Sequence, residues 1–461
     1  MITDLTTGNI RKLLWSFSIP MLISVAFQQM YNIADTWVVG QFLGADALAA
    51  VGSALAAVGA SYPITMIFMA IAIGSSAGCA VIISRLFGGR QYIHLKCAVS
   101  TIFITCVVMS VILTVFGVWQ GQNMLRMLQT PENIFTDGAL YLNIYIYGFL
   151  FLFLYNVCTG IFTALGDSKT PLYFLIGSSV GNILLDLLFV IVFDMGVAGV
   201  AWATFAAQGI SSLLALAALL HRLKQIPTTK RFPLFSFHLL GQISVIAVPS
   251  ILQQSFVSVG NLFIQSLVNS FGSAVIAGYS SAIKLNTFSV TCMSTLANGL
   301  SSFTAQNIGA HKESRITEGL KESLRMGALV CLPFVVIYLF LGRYAIGLFL
   351  DNGSPNAIHA GMMFLRIVSP FYFVVMVKAM CDGVLRGTSS IAYFTTTTFT
   401  DLVLRVVLAY FFVKMLSMDS TGIWLSWPVG WTLSAAMSFC FYRMRPWQHH
   451  GPKPKRRTAK S

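Results

Sequence analysis

The sequence predicts an all-α polytopic membrane protein with twelve transmembrane helices in two parallel-repeat six-helix lobes around a central cavity. Three observations support this prediction: an apolar composition, basic residues on alternate loops, and an internal repeat. The 461 residues are 56% hydrophobic and 10% charged, with a mean hydropathy of +0.77, whereas a soluble domain carries about 25% charged residues. The chain is therefore expected to lie in a lipid bilayer, where its length suffices for about a dozen spans of ~20 residues.

Short polar connections separate the apolar segments that predict the spans. Their approximate cores are 17–38, 47–76, 95–118, 138–160, 170–192, 197–220, 240–267, 273–301, 324–348, 358–381, 391–413 and 421–442.

The basic residues are concentrated on alternate connections and at both termini. The opposite set of connections holds only Arg126, Arg343 and Lys414. Because cytoplasmic loops of membrane proteins are enriched in Lys and Arg, this asymmetry places both termini in the cytoplasm. The same loops account for the net charge of +14, so nucleic acid is not expected as a partner.

The two halves resemble each other at a shift of a little over 220 residues. Segment 138–144 recurs loosely as 361–367, and Pro20 of the first span has a counterpart in Pro249 of the seventh. Each half has an even number of spans, so the halves are parallel and related by an axis along the membrane normal. The predicted divisions are a first lobe at 1–222, a cytoplasmic linker at 223–238, a second lobe at 239–443 and a basic disordered tail at 444–461.

Ionisable residues within the spans are rare, and such residues are functional candidates because they are costly in a membrane. They are Asp35, Asp186, Lys284, Arg366, Lys378, Asp382, Asp401 and Arg405. The last four form two oppositely charged pairs with a spacing of four residues, which favours mutual neutralisation on one helix face and a structural role. Asp35 and Asp186 have no basic residue within one helical turn.

Asp35 and Asp186, the acids of the first half without a basic neighbour along the helix, lie beside neutral polar residues. Asp35 follows Tyr31 by one helical turn, and Asp186 shares a helix face with Asn182. The other polar candidates of this half are Asn156 of the fourth span and Thr204 of the sixth. Around one cavity, these oxygens could hold Na⁺, with Asp35 and Asp186 as metal ligands. Two close carboxylates could equally raise one pKa and create a proton acceptor. Separate interhelical hydrogen bonds explain the neutral residues, but they explain poorly two acids that have no basic neighbour in the sequence.

Polar residues of the first, seventh and eighth spans are the candidates for lining the central cavity. They are Gln28, Asn32, Gln254, Asn261 and Lys284. The seventh span repeats the polar stripe of the first but has Ile264 at the offset of Asp35. Three roles stay open for Lys284: pairing with an acid, binding an anionic substrate group, or extending to the outer face.

Sequence motifs of several enzyme classes are absent. The chain has no GxxxxGK[ST], HExxH or GxSxG, so no ATPase or related hydrolase site is expected, and neither is a cofactor. The seven histidines fall in loops or at span ends, which argues against an intramembrane enzyme. The eight cysteines are scattered through apolar segments and are expected to be small buried hydrophobic residues.

Several short motifs, in this order and at this spacing, are specific in combination. They are Ile19-Pro20, Ala34-Asp35, Leu48-Ala49-Ala50-Val51-Gly52, Gly166-Asp167-Ser168-Lys169-Thr170-Pro171, Asn182-Ile183-Leu184-Leu185-Asp186, Ala305-Gln306-Asn307-Ile308-Gly309-Ala310 and Gly383-Val384-Leu385-Arg386-Gly387. With them the chain resembles the multidrug and toxic compound extrusion (MATE) transporters over nearly its whole length.

The resemblance implies export of small cationic or amphipathic drugs or metabolites in exchange for H⁺ or Na⁺. It also implies a monomer in a bacterial or archaeal cytoplasmic membrane. The prokaryotic DinF-like branch has its cation site in the first lobe, and the matching positions here are Asp35, Tyr31, Asn156, Asn182, Asp186 and Thr204. The NorM branch adds acids in spans seven and ten. Span seven has none here, and Asp382 is a loose counterpart, which favours coupling through the first lobe alone. The alternative is a lipid-linked oligosaccharide flippase of the same superfamily, which requires a strongly cationic cavity.

Overall fold

A computed structural model describes the backbone of residues 3–42, 44–128, 130–193, 195–228, 232–347, 349 and 355–448; within it, the side chains of 32–60, 63, 133, 190–191 and 196–197 lie outside the description. This part of the chain is helical and contains no strand. The α-helices are α1 (Ile10–Phe42), α2 (Gly44–Gly88), α3 (Tyr92–Met127), α4 (Glu132–Tyr147), α5 (Phe149–Ala164), α6 (Lys169–Leu187), α7 (Gly196–Lys224), α8 (Phe237–Asn269), α9 (Ser273–Gly309), α10 (Ser314–Phe340), α11 (Gly342–Gly347), α12 (Pro355–Val368), α13 (Tyr372–Gly387), α14 (Ile391–Tyr410) and α15 (Ser420–Met444).

The predicted all-α membrane fold is confirmed, and the helices fit the twelve predicted spans. Nine helical segments in the described part are long and apolar enough to cross a bilayer, with α12 and α13 counted as one segment, and the bent pair α4 and α5 makes ten. The two predicted spans that fall short by composition are α9 and α15. The sequence of α9 is rich in Ser, Thr and Asn, and several of these side chains line the central cavity described below, which lowers the mean hydropathy of this helix.

Irregular turns recur at matching places in the two halves. The π-helical turn Leu188–Val192 follows α6, and the π-helical turn Phe411–Met415 follows α14, at a shift of 223 residues. The fourth span bends by 47° between α4 and α5, at Gly148, and its counterpart is interrupted by the 3-10 turn Ser369–Phe371 between α12 and α13. Because π-helical turns are rare, their matched positions strengthen the interpretation of the chain as a duplicated unit.

Two apolar cores follow the two halves, but each takes in the first helix of the other half. Leu14 and Phe17 of α1 belong to the core of the second half, while Ile243 and Ile246 of α8 belong to the core of the first. All four side chains are buried. The first helix of each half therefore packs across the interface, so the predicted lobe boundaries divide the chain more sharply than the packing does.

One end of the bundle carries the N-terminal segment and the basic loops, and we call it the basic end. Here Gln306 of α9 is fully buried. Its Oε1 accepts from the backbone N–H of Leu5 at 2.9 Å, and its Nε2 donates to the carbonyl oxygen of Ala164 at 2.8 Å. The neighbouring Asn307 donates to the carbonyl oxygen of Leu5 at 3.2 Å. These bonds tie the N-terminal segment and the first half to α9.

Glycines allow α2 and α9 to meet backbone to backbone at the basic end. A Cβ atom added to Gly88 would lie 2.0 Å from the carbonyl oxygen of Gln306, and one added to Gly309 would lie 2.0 Å from that of Arg85. Both distances are far below van der Waals contact. The basic end is therefore closed by a backbone contact that only glycine permits, together with the hydrogen bonds of Gln306.

The cysteines agree with their predicted role as small hydrophobic residues. Seven of the eight are buried free thiols, and Cys440 on α15 is exposed.

Candidate functional site

A central cavity of about 660 Å³ lies between the two halves. The first half contributes residues of α1, α2 and α5, and the second half contributes residues of α8, α9, α13, α14 and α15. Small and neutral polar side chains line much of the wall, including those of Ser76, Asn156, Gln254, Asn261 and Thr287. A cavity of this volume lies within the usual range for small-molecule sites.

The charged groups in the described lining all come from the second half. They are Lys378, Asp382, Arg386, Asp401 and Arg405. The lining from the first half is uncharged over the residues that the structure describes. The side of the cavity that carries charge is thus opposite to the side where the sequence predicts the coupling acids.

The first ion pair of this wall is formed within α13. Lys378 Nζ lies 2.8 Å from Asp382 Oδ2, and the two side chains are 12% and 9% exposed. The other carboxylate oxygen of Asp382 accepts from the hydroxyl of Thr397 at 3.0 Å and from that of Ser438 at 2.7 Å. Both oxygens of the carboxylate therefore have partners, which offsets part of the cost of holding it away from water.

The second ion pair is formed within α14. Arg405 Nη2 lies 3.1 Å from Asp401 Oδ2, and the two side chains are 10% and 9% exposed. The Arg405 guanidinium also stacks on the ring of Trp427, 4.2 Å from its centroid, a favourable cation–π contact when desolvated. Asp401 and Arg405 both act electrostatically on Lys378. The two pairs therefore form one charge cluster, and the predicted i,i+4 pairing is confirmed.

Arg386 is the remaining cation of this wall. Its Nη2 donates to Asn298 Oδ1, and its guanidinium lies 5.6 Å from the centroid of the Phe394 ring. It forms no ion pair with any residue that the structure describes. The two acids of the described lining are each paired with another cation. The described lining holds three basic and two acidic side chains, which leaves one cation in excess.

The charges of the second half have neutral counterparts in the first. At the shift of 223 residues given by the two π-helical turns, Lys378, Asp382, Arg386, Asp401 and Arg405 correspond to Tyr155, Thr159, Thr163, Ser178 and Asn182. The reverse also holds, because Asp186 corresponds to Ala409. The duplicated backbone therefore carries a different charge pattern in each half.

The structure brings two of the predicted coupling residues into contact. The Tyr31 hydroxyl of α1 donates to Asn182 Oδ1 of α6. Asn182 and Asp186 are both buried and lie one turn apart on α6. Asp35 lies one turn beyond Tyr31 on α1, but its side chain is outside the described residues.

Asn156 and Thr204 line different cavities. Asn156 lies in the wall of the central cavity, where its Nδ2 donates to the carbonyl oxygen of Leu152 at 2.9 Å. Thr204 lines a smaller cavity of about 150 Å³ within the first half, together with Gln208. The six predicted coupling residues were expected around one cavity, but Asn156 and Thr204 line different cavities.

The predicted cavity residues are also divided. Gln254 and Asn261 line the central cavity. Gln28 is exposed and absent from the described lining, and the side chain of Asn32 is not described. Lys284 is exposed and lies 5.6 Å from the centroid of the Phe349 ring, also outside the described lining.

Arg386 is absent from the ionisable residues that the sequence analysis placed within the spans, although it lies in α13. The available signal was its spacing of four residues from Asp382, because Lys378, Asp382 and Arg386 then lie on one face of a helix. Two acids for three cations on these helices already indicate one cation in excess.

The comparisons with known proteins agree with the fold. The MatE family model matches residues 20–188 and 249–411, one segment in each half. The chain is 29% identical over 448 residues to the probable multidrug resistance protein YpnP of Bacillus subtilis, covering 96% of this chain and 97% of that protein. It is 22% identical to the multidrug export protein MepA of Staphylococcus saprophyticus, covering 84% of each.

A solved structure is similar over nearly the whole chain. It is an outward-facing conformation of a multidrug resistance MATE family transporter of the MOP superfamily, with a TM-score of 0.88 and 23% identity over 97% of this chain and 99% of that one. This likeness shows the fold. Together with the family match, which covers well over half of the residues, it leads to one conclusion: the chain belongs to the MATE family of membrane transporters.

Proposed function

We propose that this protein is a secondary active multidrug antiporter that exports small cationic or amphipathic compounds in exchange for H⁺ or Na⁺. The support from relatives is that YpnP is described as a probable multidrug resistance protein and MepA as a multidrug export protein. The support from the molecule is a cavity of about 660 Å³ between two repeated halves. A cavity at a repeat interface is the arrangement that alternating access requires.

The coupling site of this proposal lies between α1 and α6. The observation that carries it is the hydrogen bond from Tyr31 to Asn182, because it fixes the two acid-bearing helices against each other. Asp186 is buried one turn beyond Asn182, and a buried carboxylate favours either a bound cation or a proton. We assign Asp35, Asp186, Asn182 and Tyr31 to this site. Substrate and ion then compete for the charge of Asp35.

The orientation in the membrane is part of the proposal. The basic end carries the N-terminal segment and the Lys- and Arg-rich loops, which supports its assignment to the cytoplasmic side of a prokaryotic inner membrane. We assign residues 1–222 and 239–443 to the two lobes, and we expect the protein to act as a monomer.

The rival function, a lipid-linked oligosaccharide flippase, needs a strongly cationic cavity to hold a pyrophosphate. The described lining carries three basic and two acidic side chains, and four of these five form ion pairs. One excess cation does not match a group with several negative charges. The multidrug antiporter is therefore the better supported function.

The experiment measures ethidium efflux from proteoliposomes under an imposed Na⁺ gradient and, separately, an imposed pH gradient. We expect the parent protein to export ethidium under one of the two gradients. In Asp35→Asn and Asp186→Asn, we expect that gradient no longer to drive efflux. Glu318→Gln is the matched control, because it removes an acid that is exposed on α10, and it should behave like the parent protein. Efflux that needs neither gradient would exclude antiport, and an unchanged Asp35→Asn would remove this residue from the mechanism.

A further inference from the structure

We propose that Arg366 of α12 binds the phosphate of an anionic phospholipid, in the membrane leaflet at the end of the bundle opposite the basic end. We call this end the far end. Arg366 is one of the rare ionisable residues within the spans, and it is absent from the described lining of the central cavity. The proposal does not depend on the transport function, because it follows from the place of this cation in the membrane fold.

Two close contacts show that α12 and α13 run parallel to α9 and begin at the far end. A Cβ atom added to Gly278, near the start of α9, would lie 2.8 Å from the backbone nitrogen of Gly361 on α12. One added to Gly387, at the end of α13, would lie 2.5 Å from the carbonyl oxygen of Ser301, further along α9. Because α9 ends at the basic end, α12 begins at the far end.

The backbone of Arg366 lies well below the membrane surface at the far end. Pro355 is the first residue of α12, and Arg366 follows it by about 16 Å along the helix axis. Gly361 is level with Gly278 of α9, and counting residues from the start of α9 at Ser273 gives about 15 Å. The headgroup region of one leaflet is only about 5–8 Å thick. Arg366 is therefore attached to the helix within the hydrocarbon region.

The side chain of Arg366 faces away from the protein. Gly361, Phe364 and Val368 form the buried face of α12, and Arg366 lies on the opposite face, where it is exposed. It forms no ion pair or hydrogen bond with any residue that the structure describes. A charged group on the lipid side of a span is costly unless an opposite charge compensates it. This position therefore favours an anion from the surrounding membrane.

The headgroup of a lipid is within reach of Arg366 in spite of this depth. Side chains lean toward the N-terminus of their helix, and the N-terminus of α12 is at the far end. Arginine can bury its methylene stem along apolar surface while the guanidinium extends toward the headgroups, and the half-buried Met362 one turn earlier offers such surface. His359, exposed two turns earlier on the same face, adds a hydrogen-bonding group nearer to the membrane surface.

The chemistry of the guanidinium specifies the lipid class. Its planar set of N–H donors matches two oxygens of a phosphate. In a zwitterionic phospholipid, an ammonium group compensates the phosphate within the same headgroup. In an anionic phospholipid such as phosphatidylglycerol, the phosphate has no such partner, so it compensates the charge of Arg366 more fully.

Charge complementarity favours a lipid over a second copy of this chain. A second copy would have to bring an acid to the same depth in the membrane. The exposed acids among the described residues are Glu132, Glu313, Glu318 and Asp419. All four lie near the beginning of a helix, and therefore near an end of the bundle. A lipid phosphate supplies the negative charge that these acids do not.

The test compares two lipids on the purified protein in a non-ionic detergent, with the melting temperature as the readout. A ligand that binds the folded protein raises this temperature. We expect dioleoylphosphatidylglycerol to raise it more than dioleoylphosphatidylcholine does. In Arg366→Gln, the concentration of phosphatidylglycerol that gives half of the increase should rise by roughly tenfold, the effect of losing one charge-assisted hydrogen bond. The response to phosphatidylcholine should stay the same.

Two further variants and a soluble anion make the test specific. Arg126→Gln is the matched control, because it removes an exposed arginine from the last turn of α3, at the far end but at the membrane surface. It should respond to both lipids like the parent protein. Arg366→Lys keeps the charge but loses the planar fork, so it should lose only part of the preference for phosphatidylglycerol. Inorganic phosphate at the same concentration should not raise the melting temperature of the parent.

The proposal is overturned if the parent responds equally to the two lipids, or if Arg366→Gln keeps the preference for phosphatidylglycerol. An equal response to inorganic phosphate would overturn it in favour of a site for soluble anions. Light scattering after size-exclusion chromatography tests the remaining alternative. A change from dimer to monomer in Arg366→Gln would show that Arg366 contacts a second copy of the chain instead of a lipid. The efflux experiment above can fail without affecting any of these outcomes.

Discussion

Gln306 of α9 holds Leu5 of the N-terminal segment through a buried hydrogen bond of 2.9 Å from the Leu5 N–H to the Gln306 Oε1. The same amide group donates to the carbonyl oxygen of Ala164 at the end of α5. One side chain of the second half thus joins two segments of the first. Because these bonds lie at the basic end, they help to hold the two halves together there.

Replacing this amide should weaken the closed basic end. Gln306→Leu leaves the buried Leu5 N–H without its partner, and an unsatisfied group of this kind costs about 1–3 kcal/mol. It also removes one of two donors to the Ala164 carbonyl, which keeps the Ser84 hydroxyl at 3.2 Å. We expect a clear drop in the melting temperature of the purified protein, measured by the fluorescence of a thiol-reactive dye. Gln265→Leu is the control, because Gln265 donates to Asn269 in an exposed pair and should have little effect. Equal melting temperatures for both variants would contradict the importance of the Gln306 bonds.

The glycine contact at the same end should be equally sensitive to a single methyl group. In Gly309→Ala the new Cβ would lie 2.0 Å from the carbonyl oxygen of Arg85, and because that oxygen belongs to the backbone, α2 and α9 must separate. We expect a lower melting temperature and reduced efflux. Gly177→Ala offers the matched comparison, since no atom lies within 4 Å of the Cβ position at Gly177 on α6, and Ala is the better helix former by about 1 kcal/mol. Normal efflux and stability in Gly309→Ala would show that the helices can part at no cost.

The ion pair of α13 should show strong coupling between its two members. Asp382→Asn leaves the buried Lys378 ammonium without an anion, and Lys378→Gln leaves the carboxylate without its cation. Removing one partner of a buried pair costs about 3–5 kcal/mol. The double variant removes both charges of this pair together, so we expect it to be more stable than either single variant. A double-mutant cycle from unfolding of the purified protein measures this, and strictly additive losses would argue against the pair.

The sequence was sufficient to predict the helices, the repeat and the two i,i+4 ion pairs. Each of these depends on local spacing, either along one helix or between matching segments of the chain. Tyr31 and Asn182 are 151 positions apart. The sequence predicted their proximity only on the condition that the spans surround one cavity, and the family resemblance implied it. The crossing of α1 and α8 into the opposite cores was not predicted, because hydropathy does not specify the helix against which an apolar face packs.

The wall of the cavity could be predicted only in part. Gln254 and Asn261 lie in the wall of the central cavity, and polar residues at helical spacing indicate a polar face of a helix. The sequence could not predict that Asn156 and Thr204 line different cavities. Which cavity a side chain faces depends on the depth and rotation of its helix. The position of Lys284 beside Phe349 could not be predicted either. The sequence left three roles open for this side chain, and the choice among them depends on how its helix packs.

The matched π-helical turns at Leu188–Val192 and Phe411–Met415 also have an evolutionary consequence. Such a turn is a rare defect, and its presence at equivalent positions implies that the ancestral half already contained it before the gene was duplicated. Each charged residue of the cavity wall has a neutral counterpart in the first half, and Asp186 has a neutral counterpart in the second. These charges therefore arose or were lost after the duplication. The two halves of this transporter thus inherited a common shape and acquired separate chemistry, and each can change its charges without rebuilding the helices that carry them.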